Sequence, residues 1–168
     1  MTAVSRDAVR WWEAYQLADS DETAELEART AAGDEHARWQ LASWLADRGR
    51  SDEAADLIRP LADAGDDLAA SWLARWLTDE RELGERAFAG DFYALQVLAD
   101  LLAVQGRTGE LRQVLCGADG RVRPELATWL SRQGRIDVLE VGAGAGDEDC
   151  QRRLARWRMR HGVSARNR

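Results

Sequence analysis

The sequence predicts an all-α fold, a right-handed solenoid of about five helix-turn-helix repeats closed by a C-terminal capping helix. Three observations lead there. Ala and Leu dominate the apolar residues while Ile occurs only at Ile58 and Ile136, an excess of helix formers over β-branched residues that disfavours a sheet. Only 2 Pro interrupt the 168 residues. Above all, three separated landmarks recur together along the chain.

The first landmark is a five-residue segment, Leu41-Ala42-Ser43-Trp44-Leu45, which returns from Leu73, Leu98, Leu126 and Leu154 at offsets of 32, 25, 28 and 28. The same offsets carry Gly33-Asp34 onto Gly65-Asp66, Gly90-Asp91, Ala118-Asp119 and Gly146-Asp147, and carry Ala37 onto Ala69, Ala94, Val122 and Cys150. Each unit reads as a helical hairpin. Gly ends one helix, Asp caps the next, and Ala37, Leu41, Trp44, Leu45 and Arg48 fall on one face of that next helix.

In chain order, Trp11 to Ala18 and Thr23 to Ala32 make a degenerate first hairpin within 5–32. Repeats follow at about 33–64, 65–89, 90–117 and 118–145, then a basic capping helix within 146–161 and a tail over 162–168, all in one domain. Gly49-Arg50, Gly106-Arg107 and Gly134-Arg135 turn three of the hairpins, and Asp79-Glu80-Arg81 takes that place in another. Second helices run over Asp52 to Ala64, Thr108 to Leu115 and Ile136 to Gly142. Pro60 falls inside a helix, where it costs a hydrogen bond, and Pro124 falls at a helix start, where it costs none. A hairpin this short cannot bury its apolar face alone, so neighbours must stack.

These units resemble the short tetratricopeptide-type and Sel1-like repeats common in bacterial α-solenoids, and the resemblance spans nearly the whole chain. It implies a non-catalytic protein-protein interaction module or adaptor, with first helices lining a concave surface that takes another protein or peptide. Specificity then belongs to positions that vary while the framework repeats: Trp39, Ser43, Trp72, Arg75, Gln96, Asp100 and Thr128. Phe92 and Tyr93, just after a cap, supply an aromatic anchor.

No residue pattern points to catalysis or to a cofactor. Asp137 to Gly146 is similar to the glycine-rich first motif of the class I methyltransferases, yet no βα alternation precedes it and 22 residues follow it. The repeat register instead makes it a second helix before a Gly-Asp junction. Trp44, Trp76, Trp129 and Trp157 share a position filled elsewhere by Leu101, which predicts an apolar slot in the core. Trp39 lies almost opposite the core stripe. Cys150 takes an Ala position and reads as a small core residue, while Cys116 and Cys150 have neither metal-ligand nor redox spacing. His36 and His161 read as surface residues, and acidic clusters such as Asp147-Glu148-Asp149 as helix-start charges.

Charge is split along the chain. All 23 basic residues are Arg, and residues 150–168 hold 7 of them with no acid, so the first 149 residues carry −14 within a total of −7. Arg152, Arg153, Arg156 and Arg160 are therefore candidate electrostatic contacts. They offer head-to-tail self-association with the acidic stretch around Asp19, Asp21, Glu22 and Glu25 of a second copy. Two other functional classes fit the charges: an acidic inhibitor or immunity-type protein presenting carboxylates to a basic partner, and nucleic-acid contact through the Arg-rich end. The second is disfavoured, because the acidic body repels phosphate. No apolar run suits a membrane, and a charged start without a signal peptide predicts a cytoplasmic protein.

Overall fold

The computed structural model describes residues 6–19 and 23–161, and their side chains from residue 11 onward apart from Asp19. Eleven helices and no strand are present among them. They are α1 Arg6–Asp19, α2 Thr23–Ala31, α3 Glu35–Asp47, α4 Ser51–Asp63, α5 Asp67–Trp76, α6 Glu80–Phe88, α7 Phe92–Val104, α8 Thr108–Gly117, α9 Arg123–Gln133, α10 Ile136–Gly144 and α11 Glu148–Arg160. No described helix is long and apolar enough to cross a membrane.

The junctions explain why the chain reverses so often. Gly65 has φ +93, the left-handed conformation that lets the end of α4 close on itself. Its N–H donates to Ala62 and the N–H of Asp66 donates to Leu61, the paired bonds of a Schellman ending. Asp66 then caps α5, its carboxylate accepting from the Ala69 N–H at 2.9 Å. One residue thus ends one helix and begins the next. Asp34, Asp91 and Asp147 cap α3, α7 and α11 in the same way. Arg29 and Arg86, late in the preceding helices, pair with Asp34 at 2.7 Å and Asp91 at 3.0 Å.

Burial works to raise the Asp34 carboxyl, but donation from the Arg29 guanidinium and the Ala37 and His36 N–H groups outweighs it. The acid titrates below its ordinary value as a result. Its folded pKa lies below the unfolded one, so this contribution is complete above the unfolded carboxylate pKa and is lost as pH falls through the folded value.

Gly-Arg junctions close the hairpins by the same backbone bonds without a side-chain cap. Gly106 has φ +70, and the Arg107 N–H donates to Leu102. The Arg side chain turns outward to a carboxylate on the following helix: Arg50 to Glu53, Arg107 to Glu110 and Arg135 to Asp137. Arg107 also reaches Glu80 on α6 at 2.7 Å, and Arg135 reaches Asp100 on α7. These turns therefore fasten neighbouring helices as well as reversing the chain.

The start of α9 departs from the expected register. With Ala118 in place of Gly, α8 ends in extended backbone, and Asp119 accepts from the Arg121 N–H in an intervening turn. The helix begins only at Arg123, with Pro124 in its first turn. Pro60 lies inside α4, which continues through it to Asp63.

The chain divides into two compact units at Thr78 and Asp79. In the first, α1, α2 and α3 pack together, α3 packs on α4, and α4 on α5. Its core is built on Leu26, Leu41, Ile58 and Leu73. In the second, α6, α7 and α8 pack together, α10 packs on α7, α8 and α9, and α11 covers α9 and α10. Leu83, Leu95, Leu102, Leu111, Leu130, Leu139 and Leu154 fill that core. No charged or polar residue is buried among the described residues.

Ala37, Leu41, Ala42 and Leu45 are buried, as are their counterparts except Val122, which is half-buried, and, on the last helix, exposed Ala155 and half-buried Arg158. The repeated Trp position is not. Trp44, Trp76, Trp129 and Trp157 are half-buried, as is Leu101, which corrects the expected core slot. The position stands at the edge of the apolar stripe, so neighbouring helices cover a ring there on one side only.

The glycine-rich stretch after Asp137 forms α10 and its ending, with Gly146 at φ +92 and Asp147 capping α11. Gly142 is Gly for a packing reason: a Cβ there meets the Cys150 Sγ at 2.7 Å. Burial pushes the Cys150 thiol up to about 12, with Asp147 adding to the shift, so it is a packing group and not a thiolate.

Chemical denaturation of three sets of variants tests this packing. Leu73→Ala, at a fully buried site, should cost about 2–5 kcal/mol through a cavity, and the exposed Arg75→Ala within about 0.5 kcal/mol. Gly142→Ala should destabilise by about 1–3 kcal/mol through overpacking. Much of that loss should return in the Gly142→Ala/Cys150→Ala double variant. Gly144→Ala, which meets nothing within 4 Å, should instead stabilise by about 0.4–1 kcal/mol. Equal costs for Leu73→Ala and Arg75→Ala, or for both glycines, would contradict the assignment of faces.

Candidate functional site

Each unit contains a cleft between two first helices. In the first unit, Gln40, Ser43, Trp44 and Asp47 of α3, with Arg48 just beyond it, face Tyr15 and Ala18 of α1 around about 300 Å³. In the second, Arg153, Arg156, Trp157 and Arg160 of α11, with His161 just beyond it, face Ser131, Arg132 and Gly134 at the end of α9 around about 290 Å³. The repeat register that carries Leu41 onto Leu154 carries Gln40, Ser43, Trp44, Asp47 and Arg48 onto Arg153, Arg156, Trp157, Arg160 and His161, in order. One wall of the two clefts is therefore built from equivalent positions, and the opposite walls differ.

What stays constant is the Trp and its cover. The Arg48 guanidinium lies 3.9 Å from the Trp44 ring centroid. His161, at the equivalent position, stacks on Trp157 at 4.4 Å and 22°, with a ring nitrogen 2.8 Å from the Trp157 carbonyl oxygen. What changes is charge. The first cleft sets Asp47 beside Arg48, whereas the second has four Arg and no carboxylate in its lining.

Hydrogen bonds fix one of those Arg in place. Thr128, half-buried on α9, donates its hydroxyl to the Pro124 carbonyl at 2.7 Å. Its lone pair accepts from the Arg153 guanidinium at 2.7 Å. A neutral partner holds the fork without cancelling its charge.

Of the other candidates, Ser43 is exposed in the first cleft, and Arg156 and Arg160 are exposed in the second. Arg152 is excluded from the cleft and pairs with Asp149, whose hydrogen bond raises its pKa. Exposed Trp72 lies 5.3 Å from Trp76, with the Arg75 guanidinium 5.5 Å from its centroid. Phe92 and Tyr93 meet edge to face at 5.6 Å and are half-buried. Trp39 and Gln96, which share a repeat position, are also half-buried, and neither lines a described cleft. Asp100 is engaged by Arg135. Of the acidic stretch, Glu25 is exposed on α2, the Asp19 side chain is not among those described, and Asp21 and Glu22 lie outside the described residues, as does the tail over 162–168.

Among the lining residues, Tyr15, Gln40, Asp47, Arg48, Arg132 and His161 were not sequence candidates. The register signals His161, which stands where Arg48 stands. Tyr15 has no such signal, because α1 lacks the repeated segment. It stacks with Trp11 at 5.6 Å and Trp12 at 5.8 Å, two rings that are 47% and 53% exposed. No group of three or more His, Cys, Asp or Glu able to hold a metal is gathered among the described residues. Compared with protein families, curated proteins and solved structures, the chain matches none.

Proposed function

We propose that the chain is a non-catalytic protein-interaction module, a right-handed solenoid of helical hairpins whose first helices present the binding surface. The observation that supports this reading is the cleft wall that recurs at equivalent positions in both units with a constant Trp and a changed lining. A recognition scaffold needs a frame that is independent of what it recognises. Here the frame is the buried Ala-Leu set, and the rim positions of Ser43 and Arg156 differ in charge without disturbing it. Packing of α1 on α3 and of α9 on α11 supports a stacking of first helix on first helix of the kind a repeat array uses. The exposed Trp11 and Trp12 beside Tyr15 add aromatic anchors of the kind that dominate binding energy.

Site-specific photocrosslinking tests the reading. With benzoylphenylalanine in place of Ser43, a discrete protein adduct should form in cells. In place of exposed Asp56 on α4, none should form. Absence of adducts at Ser43, or identical adducts at both positions, would overturn it.

A further inference from the structure

We propose that the α9–α11 cleft is a binding site for the diphosphate group of a small anion, a property separate from any protein partner. Three features carry the assignment. The first is uncompensated charge. Arg132, Arg153, Arg156 and Arg160 converge on the cleft, and none makes an ion pair with a carboxylate among the described residues. The other Arg of α11 behave differently: Arg152 pairs with Asp149 and Arg158 with Glu140 at 2.9 Å. The carbonyl ends of α9 and α11 supply about −0.5 each. Against four guanidinium charges, that leaves about +3.

The second feature is preorganisation. A helix whose Arg residues serve only to keep it dissolved has no use for a hydroxyl relay that points one of them inward. Thr128 spends its proton on Pro124 and its lone pair on Arg153, so the half-buried guanidinium is held at the cleft with its full charge. The equivalent first-unit cleft, with Gln40 in place of Arg153 and Asp47 in place of Arg160, has neither the charge nor the relay.

The third feature is donor number against size. Each guanidinium presents five N–H donors, and a carboxylate offers two oxygens with about four lone-pair sites, too few for four such forks. A diphosphate presents more oxygens and at least two negative charges, and Arg forks match phosphate geometry. The volume of about 290 Å³ stands at the small end of ligand sites, room for such a group and not for a length of polymer. Inorganic pyrophosphate and the diphosphate of a nucleotide share this chemistry, the second adding a ring able to lie on Trp157 and His161.

Isothermal titration of the full chain at low ionic strength tests it, with pyrophosphate and ADP as separate probes. Saturable binding of one pyrophosphate per chain is expected. Arg156→Gln should weaken it about tenfold or more, the scale of losing a charge-assisted bidentate contact. Arg152→Gln, which removes the same charge outside the cleft, should leave it unchanged. Thr128→Val should weaken it and Thr128→Ser should restore it, which marks Thr128 as a positioning residue. Tighter binding of ADP than of pyrophosphate identifies a nucleotide as the source; equal or weaker binding identifies the inorganic anion. No saturable binding of either probe, equal losses in Arg152→Gln and Arg156→Gln, or binding only of a single-stranded oligonucleotide spanning several chains would overturn the site. Crosslinking at Ser43 reads the other cleft, so either experiment fails without the other.

Discussion

Seven of the described helix endings, all but those of α5 and α8 between α2 and α10, depend on a Gly in a backbone conformation that L side chains resist. At four of the five junctions between hairpins a Gly with positive φ folds the last turn back on itself, and the next residue both receives that ending and caps the following helix. At those four no linker is left over to absorb error. The angle between consecutive helices is set by these few bonds, and the apolar positions that follow are delivered to the same face each time. Glycine is needed for its conformation and not for space at Gly65, where an added Cβ meets nothing within 4 Å.

Fixed junctions in turn fix the clefts. Once Asp34 and Asp147 start α3 and α11, the residues six, nine, ten, thirteen and fourteen places later come to the rim between two first helices. The Trp at the tenth place is half-buried because it belongs to both environments, one face on the neighbouring helix and the other under Arg48 or His161. The remaining rim positions are free of the core and so are free to carry Gln, Ser and Asp in one unit and three Arg in the other.

The all-helical class and most helix starts were legible because they are written in local chemistry: Gly before Asp, Ala and Leu at helical spacing, Gly before Arg. Less legible was whatever depends on neighbours distant in sequence. Leu101 at the Trp position suggested a core slot, but degree of burial is decided by the adjacent helix, and the position is half-buried throughout. The start of α9 slipped where Ala118, for which left-handed backbone is costly, replaces the Gly and stands in extended backbone, and Asp119 accepts from Arg121 in a separate turn. Arg153 and Arg156 were visible as charges. That Thr128 pins one of them, and that Arg152 leaves the group for Asp149, follows from which face of α11 meets α9.

The most direct test of this account is the unfolding free energy of Gly65 variants, because the site is sterically open and reports on φ alone. Gly65→Ala should lose roughly 1–2 kcal/mol, the cost of holding an L residue in left-handed backbone, and Gly65→Asn should lose less. A Gly65→Ala variant as stable as the parent chain, or an Asn variant no better than Ala, would contradict the central claim that these junctions hold the repeat in register.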